Sequence, residues 1–293
     1  MGVERPDRSS VGGELRLHTD DFRRYLDGEA LYGDDFSLPE IEKWYQDEKE
    51  AYFRLLGTYE SAEPRTYGYH RLNWRYGFQH LPNGRFLNVL GVGSAWGAEF
   101  EPILDRIDQL TILEPSGGFV RDEIGGVPVR YIEPRPSGEF PFQEGVFDLI
   151  SCLGVLHHIP NVSKVVQEIS RCLTPGGHAL IREPTISMGD WRESRPGLTT
   201  RERGIPLDLL RGIIEAAGLE VTFEKRCMFQ LTYNLAPFFH NAVWNSRPAL
   251  LLDRVFCSIF ASNLHYHPWN RLQTLRPIAV YYVLRRPPKA ADL

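Results

Sequence analysis

Hydrophobic positions change their period along the 293-residue chain. Between residues 20 and 59 they recur mostly at three- and four-residue spacings: Phe22, Tyr25 and Leu26, then Ile41, Trp44, Tyr45, Tyr52, Phe53 and Leu56. This spacing predicts two or more helices with an aromatic face, and Pro39 suits a helix start, where its missing amide hydrogen costs nothing. Residues 1–13 are polar and glycine-rich and are expected to be mobile. From 67 to 80 the aromatic run Tyr69, His70, Trp74, Tyr76, Phe78 and His80 has no clean period. It reads equally as padding for a sheet or as cover for a ligand pocket.

From residue 85 the pattern shortens to apolar runs of strand length alternating with amphipathic segments. Residues 86–90 end in Gly91, a helical pattern covers 96–104, and a second apolar run, 109–113, ends at Glu114. Strand, glycine turn, helix and strand in so short a stretch is a βαβ unit. Further strands are predicted at 127–132, 147–151, 178–181, 219–223 and 278–284. Helices are predicted at 162–173, with Val162, Val165, Val166, Ile169 and Leu173 on one side, and after Gly204, with Pro206 in the first turn. Pro175, Gly176 and Gly177 are expected to stop the first of these. The fold class that follows is α/β, a doubly wound, mostly parallel seven-stranded sheet of Rossmann-like type. Its divisions are an N-terminal helical extension over 1–80, a core over 81–227, an aromatic-rich insertion over 228–275, and a final strand and tail over 276–293. Within the insertion, 250–260 reads as a helix whose apolar face is Leu251, Val255, Phe256 and Ile259. An insertion of that length carrying structure is expected to act as a cap on the acceptor side.

Composition narrows the partners. Hydrophobic residues at 42% and charged residues at 24% describe a folded globular chain rather than a disordered one. A formal net charge of -5 gives no reason to expect a nucleic-acid partner. No stretch approaches the roughly 20 apolar residues needed to span a bilayer, and residues 1–8 do not resemble a signal peptide. A cytoplasmic protein with no membrane partner is expected, and its oligomeric state is left open. The cysteines, Cys152, Cys172, Cys227 and Cys257, have none of the close spacings of metal or redox sites. Cys152 and Cys172 read as small buried hydrophobes.

The run from Asn88 to Gly97 places small residues where a strand turns into a helix. Gly91 and Gly93 allow close approach of a ligand to the backbone, and the free amides of a helix start can receive a carboxylate or phosphate. Glu114 ends the next strand, where its carboxylate can accept both hydroxyl hydrogens of a ribose. Glu133 ends the third predicted strand on the same rim, in reach of an adenine amino group or simply of solvent.

These residues, together with Pro115 after Glu114, the run Phe147-Asp148-Leu149-Ile150, the segment Gly154-Val155-Leu156-His157-His158-Ile159 and the Leu173-Thr174-Pro175-Gly176-Gly177 turn, resemble the class I S-adenosylmethionine-dependent methyltransferases, in their small-molecule branch. The resemblance covers about 85–227 and the final strand. It implies S-adenosylmethionine as cofactor and S-adenosylhomocysteine as product. Asn88, Gly91, Gly93, Ser94 and Ala95 then face the methionine portion, Glu114 and Pro115 the ribose, Glu133 the adenine side, and Leu153 and Gly154 the sulfonium. Two positions depart from the family pattern: Val89 stands where an acid is usual, and Ala95 where a third glycine is usual. The histidine segment and the Pro-Gly-Gly turn argue against a nicotinamide-dependent oxidoreductase on the same fold.

Methyl transfer is a direct displacement, so alignment of donor and acceptor is the protein's main task. A hydroxyl acceptor needs a base, and His157 and His158, beyond the fourth main strand, are the candidates. A nitrogen or carbon acceptor on a small molecule is the alternative, and a non-catalytic S-adenosylmethionine or nucleotide binder is the other. Glu183, Trp191, Arg192 and His265 are candidates for holding a polar acceptor such as a sugar or hydroxylated metabolite. Two histidines at 265 and 267 lack a clear third ligand, so no metal is expected.

Overall fold

The computed structural model describes residues 19–57, 67–191, 193, 195, 197–236 and 242–288. Helices α1 (Thr19–Leu26), α2 (Leu38–Gly57) and α3 (His70–Tyr76) precede the sheet. Strands β1 (Phe86–Val92), β2 (Ile107–Leu113), β3 (Glu123–Ile124), β4 (Val127–Ile132) and β5 (Phe147–Leu153) follow. Then come α4 (Val162–Cys172), β6 (Leu173–Pro184), α5 (Leu207–Ala216), β7 (Glu220–Phe229), α6 (Gln230–Leu235), α7 (Arg247–Ile259) and β8 (Pro277–Arg285).

The strands form one sheet in the order β3-β4-β2-β1-β5-β6-β8-β7. From β4 through β6 every pairing is parallel, whereas β8 runs antiparallel to both β6 and β7. The seven expected strands are all present, and the two-residue β3 adds a short antiparallel edge to β4. Strand β6 begins at Leu173, through the Pro-Gly-Gly turn rather than after it. Its first pairing, Phe147 with Leu173, is followed by a register shift before Leu149 meets His178.

Apolar runs make the inner strands because both faces of a parallel sheet are covered. One face carries α4 and α5, with Val165, Val166, Ile169, Leu210 and Ile214 packed on Leu90, Ile150 and Ile181. The other carries α3 and the segment after β1, with Leu72, Tyr76, Phe100 and Ile103 on Val89, Leu149 and Leu180. The expected first crossover helix is instead a 3-10 segment, Ala98–Arg106. Pro102 inside it cannot donate to an α-helical ladder, which explains the change.

All four cysteines are free and buried, and burial holds the Cys152 thiol well above its ordinary pKa. Among the described residues, no helix is long and apolar enough to cross a membrane.

Candidate active site

The carboxyl ends of β1, β2 and β5 meet at one rim, because Gly91 pairs with Ile112 on one side and Ser151 on the other. Parallel sheets bind ligands at such ends. Gly93 has φ +62°, and a Cβ there would press on the Val155 side chain at 2.7 Å. A side chain at this position would not fit against Val155. Ala95 also adopts a left-handed conformation, φ 46°, which costs an alanine about 1–2 kcal/mol.

Glu114 closes this turn from β2. It is 7% exposed, and its two carboxylate oxygens accept the amide hydrogens of Ala95 and Ser116, each at 3.1 Å. Burial pushes its carboxyl up to about 7, against those two hydrogen bonds. Each oxygen keeps a lone pair for a further donor. Pro115 follows it, half-buried.

Val89, in the place of the usual acid, is 1% exposed and packs in the core. A different carboxylate occupies the space under the turn. Glu99, from the 3-10 segment, accepts the Ser94 hydroxyl at 2.6 Å and the Ser151 hydroxyl at 3.3 Å. It is 5% exposed, and burial raises its carboxyl to about 7 despite both hydroxyls and the nearby Arg182. Sequence reading missed Glu99, because it lies past the motif, in a segment whose polar positions look like a helix exterior. Arg182 reaches the same side from β6, donating to Asn73 Oδ1 at 2.9 Å with Tyr69 stacked under its guanidinium at 4.2 Å. The aromatic run before the sheet thus closes over the β5 loop, where the Leu153 carbonyl and half-buried Gly154 lie beside Arg182.

Past Gly154 the chain makes a 3-10 turn, Leu156–His158. Glu183, fully buried, accepts the amides of Val155 and Leu156 at 2.9 Å and that of His157 at 3.2 Å. It also bonds His157 Nδ1 at 2.8 Å. His157 Nε2 lies 3.5 Å from Glu202 Oε1. Burial disfavours the imidazolium, but the hydrogen bonds and charges of Glu183 and Glu202 outweigh it and raise His157 to about 9. Burial likewise opposes ionisation of Glu202, yet the bond to His157 and the charges of both histidines hold it near 2. His157 is therefore a cation with both ring nitrogens directed at carboxylates.

His158 is arranged differently. It is half-buried, and its Nδ1 lies 2.9 Å from Glu48 Oε2. Glu48 comes from α2 and also accepts the Thr199 hydroxyl at 2.6 Å and the Arg201 amide at 2.8 Å. The same helix donates the Trp44 indole hydrogen to the His158 carbonyl at 2.8 Å. One turn further, Lys49 pairs with Glu133 at 2.7 Å. Helix α2 therefore runs across the rim from the histidines to the end of β4. His157, His158 and Glu202 also bring three ligand-type atoms within 4.8 Å of one another, but the protonated His157 already satisfies the carboxylates on either side of it.

The other expected positions are spread over the fold. Asn88 lies in the body of β1, its amide bonded to Asp148 at 3.0 Å. Three residues before Gly91, it stands about 10 Å back from the turn. Glu183 is fully buried, its carboxylate engaged with Val155, Leu156 and His157 beneath the loop. His265 is exposed and lines a separate cleft of about 230 Å³ with Asp27, Asp208 and His267, away from Gly91, Glu114 and His158. Glu133 is exposed and ion-paired. Trp191 donates to the Ser187 carbonyl at 2.7 Å and stacks on Tyr32 with ring centroids 5.6 Å apart, so it clasps the N-terminal helices to the core. Arg192 lies outside the described residues.

The sheet order, the glycine turn and the carboxylate at the end of β2 match the arrangement expected of a class I S-adenosylmethionine-dependent methyltransferase domain. Residues 90–181 match the family model described as a methyltransferase domain. The chain is similar to the ubiquinone biosynthesis O-methyltransferase of Pectobacterium carotovorum, 32% identical over 53 residues, which are 18% of this chain and 22% of that one. It is also 28% identical over 119 residues to a highly reducing polyketide synthase of Emericella nidulans, covering 34% of this chain and 5% of that one. The chain thus spans about a fifth of the length of the curated O-methyltransferases it matches. Among solved structures, an S-adenosylmethionine-dependent methyltransferase from Mesorhizobium loti superposes with TM-score 0.47 at 16% identity, covering 71% of this chain and 94% of that one.

Proposed function

We propose that this protein methylates a hydroxyl oxygen of a polar small molecule, with S-adenosylmethionine as donor and His158 as the group that takes the hydroxyl proton. The observation that carries the reading is the Glu48–His158 pair on the loop after β5, next to the residues that the family places at the sulfonium. The O-methyltransferase names of the curated relatives support an oxygen acceptor.

The residues fit the cofactor. Glu114 offers a desolvated carboxylate to a pair of ribose hydroxyls. At Gly93, where a Cβ would meet Val155, the turn would present backbone alone to the amino-acid end, and Glu99 would supply under that turn the carboxylate that Val89 lacks. When bound, S-adenosylmethionine supplies a methyl group already activated on its sulfonium. The chain's own work is to orient and to move one proton. Glu48 fixes the His158 ring and would stabilise the imidazolium formed when the acceptor hydroxyl gives up its proton, as a carboxylate does behind a catalytic histidine. His157, a cation tied to Glu183 and Glu202, positions the loop and takes no proton. Helix α2 serves as a lid that limits water at the rim.

The test is incubation of the protein with isotopically labelled S-adenosylmethionine and a metabolite pool, followed by mass analysis for a gain of one methyl group. Loss of product in His158→Ala, with cofactor binding intact, supports the reading. Retained turnover in that variant indicates a nitrogen or carbon acceptor. Cofactor binding with no product from any pool indicates a non-catalytic binder, and absence of binding removes the methyltransferase reading altogether.

A further inference from the structure

Helix α7 has two apolar faces. One packs inward, with Leu250 and Cys257 buried around Asp253. The other faces solvent: Leu251, Leu252 and Ile259 are 61%, 57% and 65% exposed, with Val255 and Phe256 between them. At 100° per residue these five occupy one continuous arc of the helix, and Arg247 and Arg254 flank it. An apolar face of this kind on a surface helix marks an interaction site.

Charge identifies the occupant. Residues 228–275 contain a single acid, Asp253, in a chain of net charge -5. That acid is turned inward, accepting the amides of Met228 and Phe229 at 3.0 and 2.7 Å. Beside α7 lies a cleft of about 650 Å³, shared with α3 and lined by Arg71, Arg75, Arg247 and Arg254 together with Trp74. All four arginines are exposed, and among the described residues no ion pair links any of them to a carboxylate. Leu251 belongs both to this cleft and to the apolar face, so the two are continuous.

We propose that α7 and this cleft dock the protein on an anionic phospholipid bilayer, the lipid phosphates held by the four guanidinium groups and the apolar arc seated at the acyl boundary. Guanidinium is the side-chain group best suited to phosphate, and an amphipathic helix with an arginine flank and a leucine, isoleucine and phenylalanine face is the interfacial type. The expectation of no membrane partner rested on the lack of a spanning stretch, and this proposal departs from it, since a surface of this kind would lie on a membrane without crossing it. The proposal is independent of the methyl-transfer reading.

The test is cosedimentation of the full chain with vesicles of phosphatidylcholine alone and of phosphatidylcholine mixed with phosphatidylglycerol. Binding to the mixed vesicles only, weakened by salt, is expected. Arg247→Gln with Arg254→Gln should reduce partitioning about thirtyfold, from roughly fivefold per arginine at a charged leaflet. Leu252→Ser with Ile259→Ser should abolish it. All four side chains face solvent, so unchanged thermal unfolding checks that each variant is folded. The proposal is overturned by partitioning indifferent to phosphatidylglycerol, or by no partitioning at all. It is overturned equally by a two-chain mass in light scattering that Leu252→Ser with Ile259→Ser returns to one, which would make the face a contact between copies. Retention on RNA with none on vesicles would also end it.

Discussion

Glu48 and His158 are 110 positions apart in the chain, yet Oε2 of one and Nδ1 of the other lie 2.9 Å apart across the rim of the sheet. A carboxylate behind an imidazole fixes its tautomer and stabilises its cation. His158→Ala is therefore expected to lower kcat by about 10²–10⁴-fold, the usual range for a positioned base. Glu48→Gln should lower it less. Initial rates paired with calorimetric titration of S-adenosylmethionine check this, since the dissociation constant should stay unchanged in His158→Ala.

Glu114 is buried at the end of β2, and on the proposed reading its carboxylate would hold the cofactor's ribose. Glu114→Gln replaces two charged acceptors by one neutral acceptor and a donor. A hydrogen bond to a charged group contributes about 1.5–3 kcal/mol, so affinity for S-adenosylmethionine should fall roughly ten- to a hundredfold. Calorimetry reads this directly, and unchanged affinity would place the nucleoside elsewhere.

Glu99 should matter only to the end of the cofactor that carries a positive amino group. Glu99→Gln is expected to weaken S-adenosylmethionine about tenfold, the loss of one charge-assisted hydrogen bond. It should leave methylthioadenosine, which has the nucleoside but no amino-acid end, bound as before. Parallel titrations of the two ligands separate this role from general damage to the turn.

Ala95 holds φ 46°, a conformation that glycine adopts without strain. Ala95→Gly removes that strain and adds freedom to the unfolded chain. The first effect is the larger, giving a net stabilisation of about 0.5–1 kcal/mol. Thermal unfolding should rise by roughly 2 °C in a chain of this size. A fall would mean that the alanine methyl makes contacts worth more than the strain.

His157 makes stability depend on pH above neutrality. Its pKa is raised from 6.5 to about 9, so its contribution is complete below about 6.5 and disappears as pH rises through 9. Glu202, lowered from 4.5 to about 2, contributes above 4.5 and loses its share only as pH falls through 2. Glu99 and Glu114, both raised to about 7, act with the opposite sign, costing stability as pH rises from 4.5 to 7. The interval between pH 7 and 9, below the range where the buried cysteines and tyrosines begin to act, is therefore the one in which His157 is read. Melting temperature is expected to fall more steeply there in the wild type than in His157→Gln.

The strands, the glycine turn and Glu114 were legible in the sequence because they depend on local pattern. An apolar run of five to seven residues bounded by glycine has few other uses, and a carboxylate at a strand's end is fixed on the ligand rim by the direction of the strand. The histidine pair was legible as chemistry but not as geometry. Nothing in Leu156-His157-His158-Ile159 distinguishes a ring locked between Glu183 and Glu202 from one backed by Glu48.

The sequence by itself determined the α/β class, the parallel core and the cofactor rim, since hydrophobic period and backbone freedom act over a few residues. Only the tertiary structure decided which acid lies under the glycine turn, which histidine is held as a cation, and which face of α7 meets water. Each of those depends on groups far apart in the chain, and desolvation and hydrogen bonding act through space, where sequence separation carries no information.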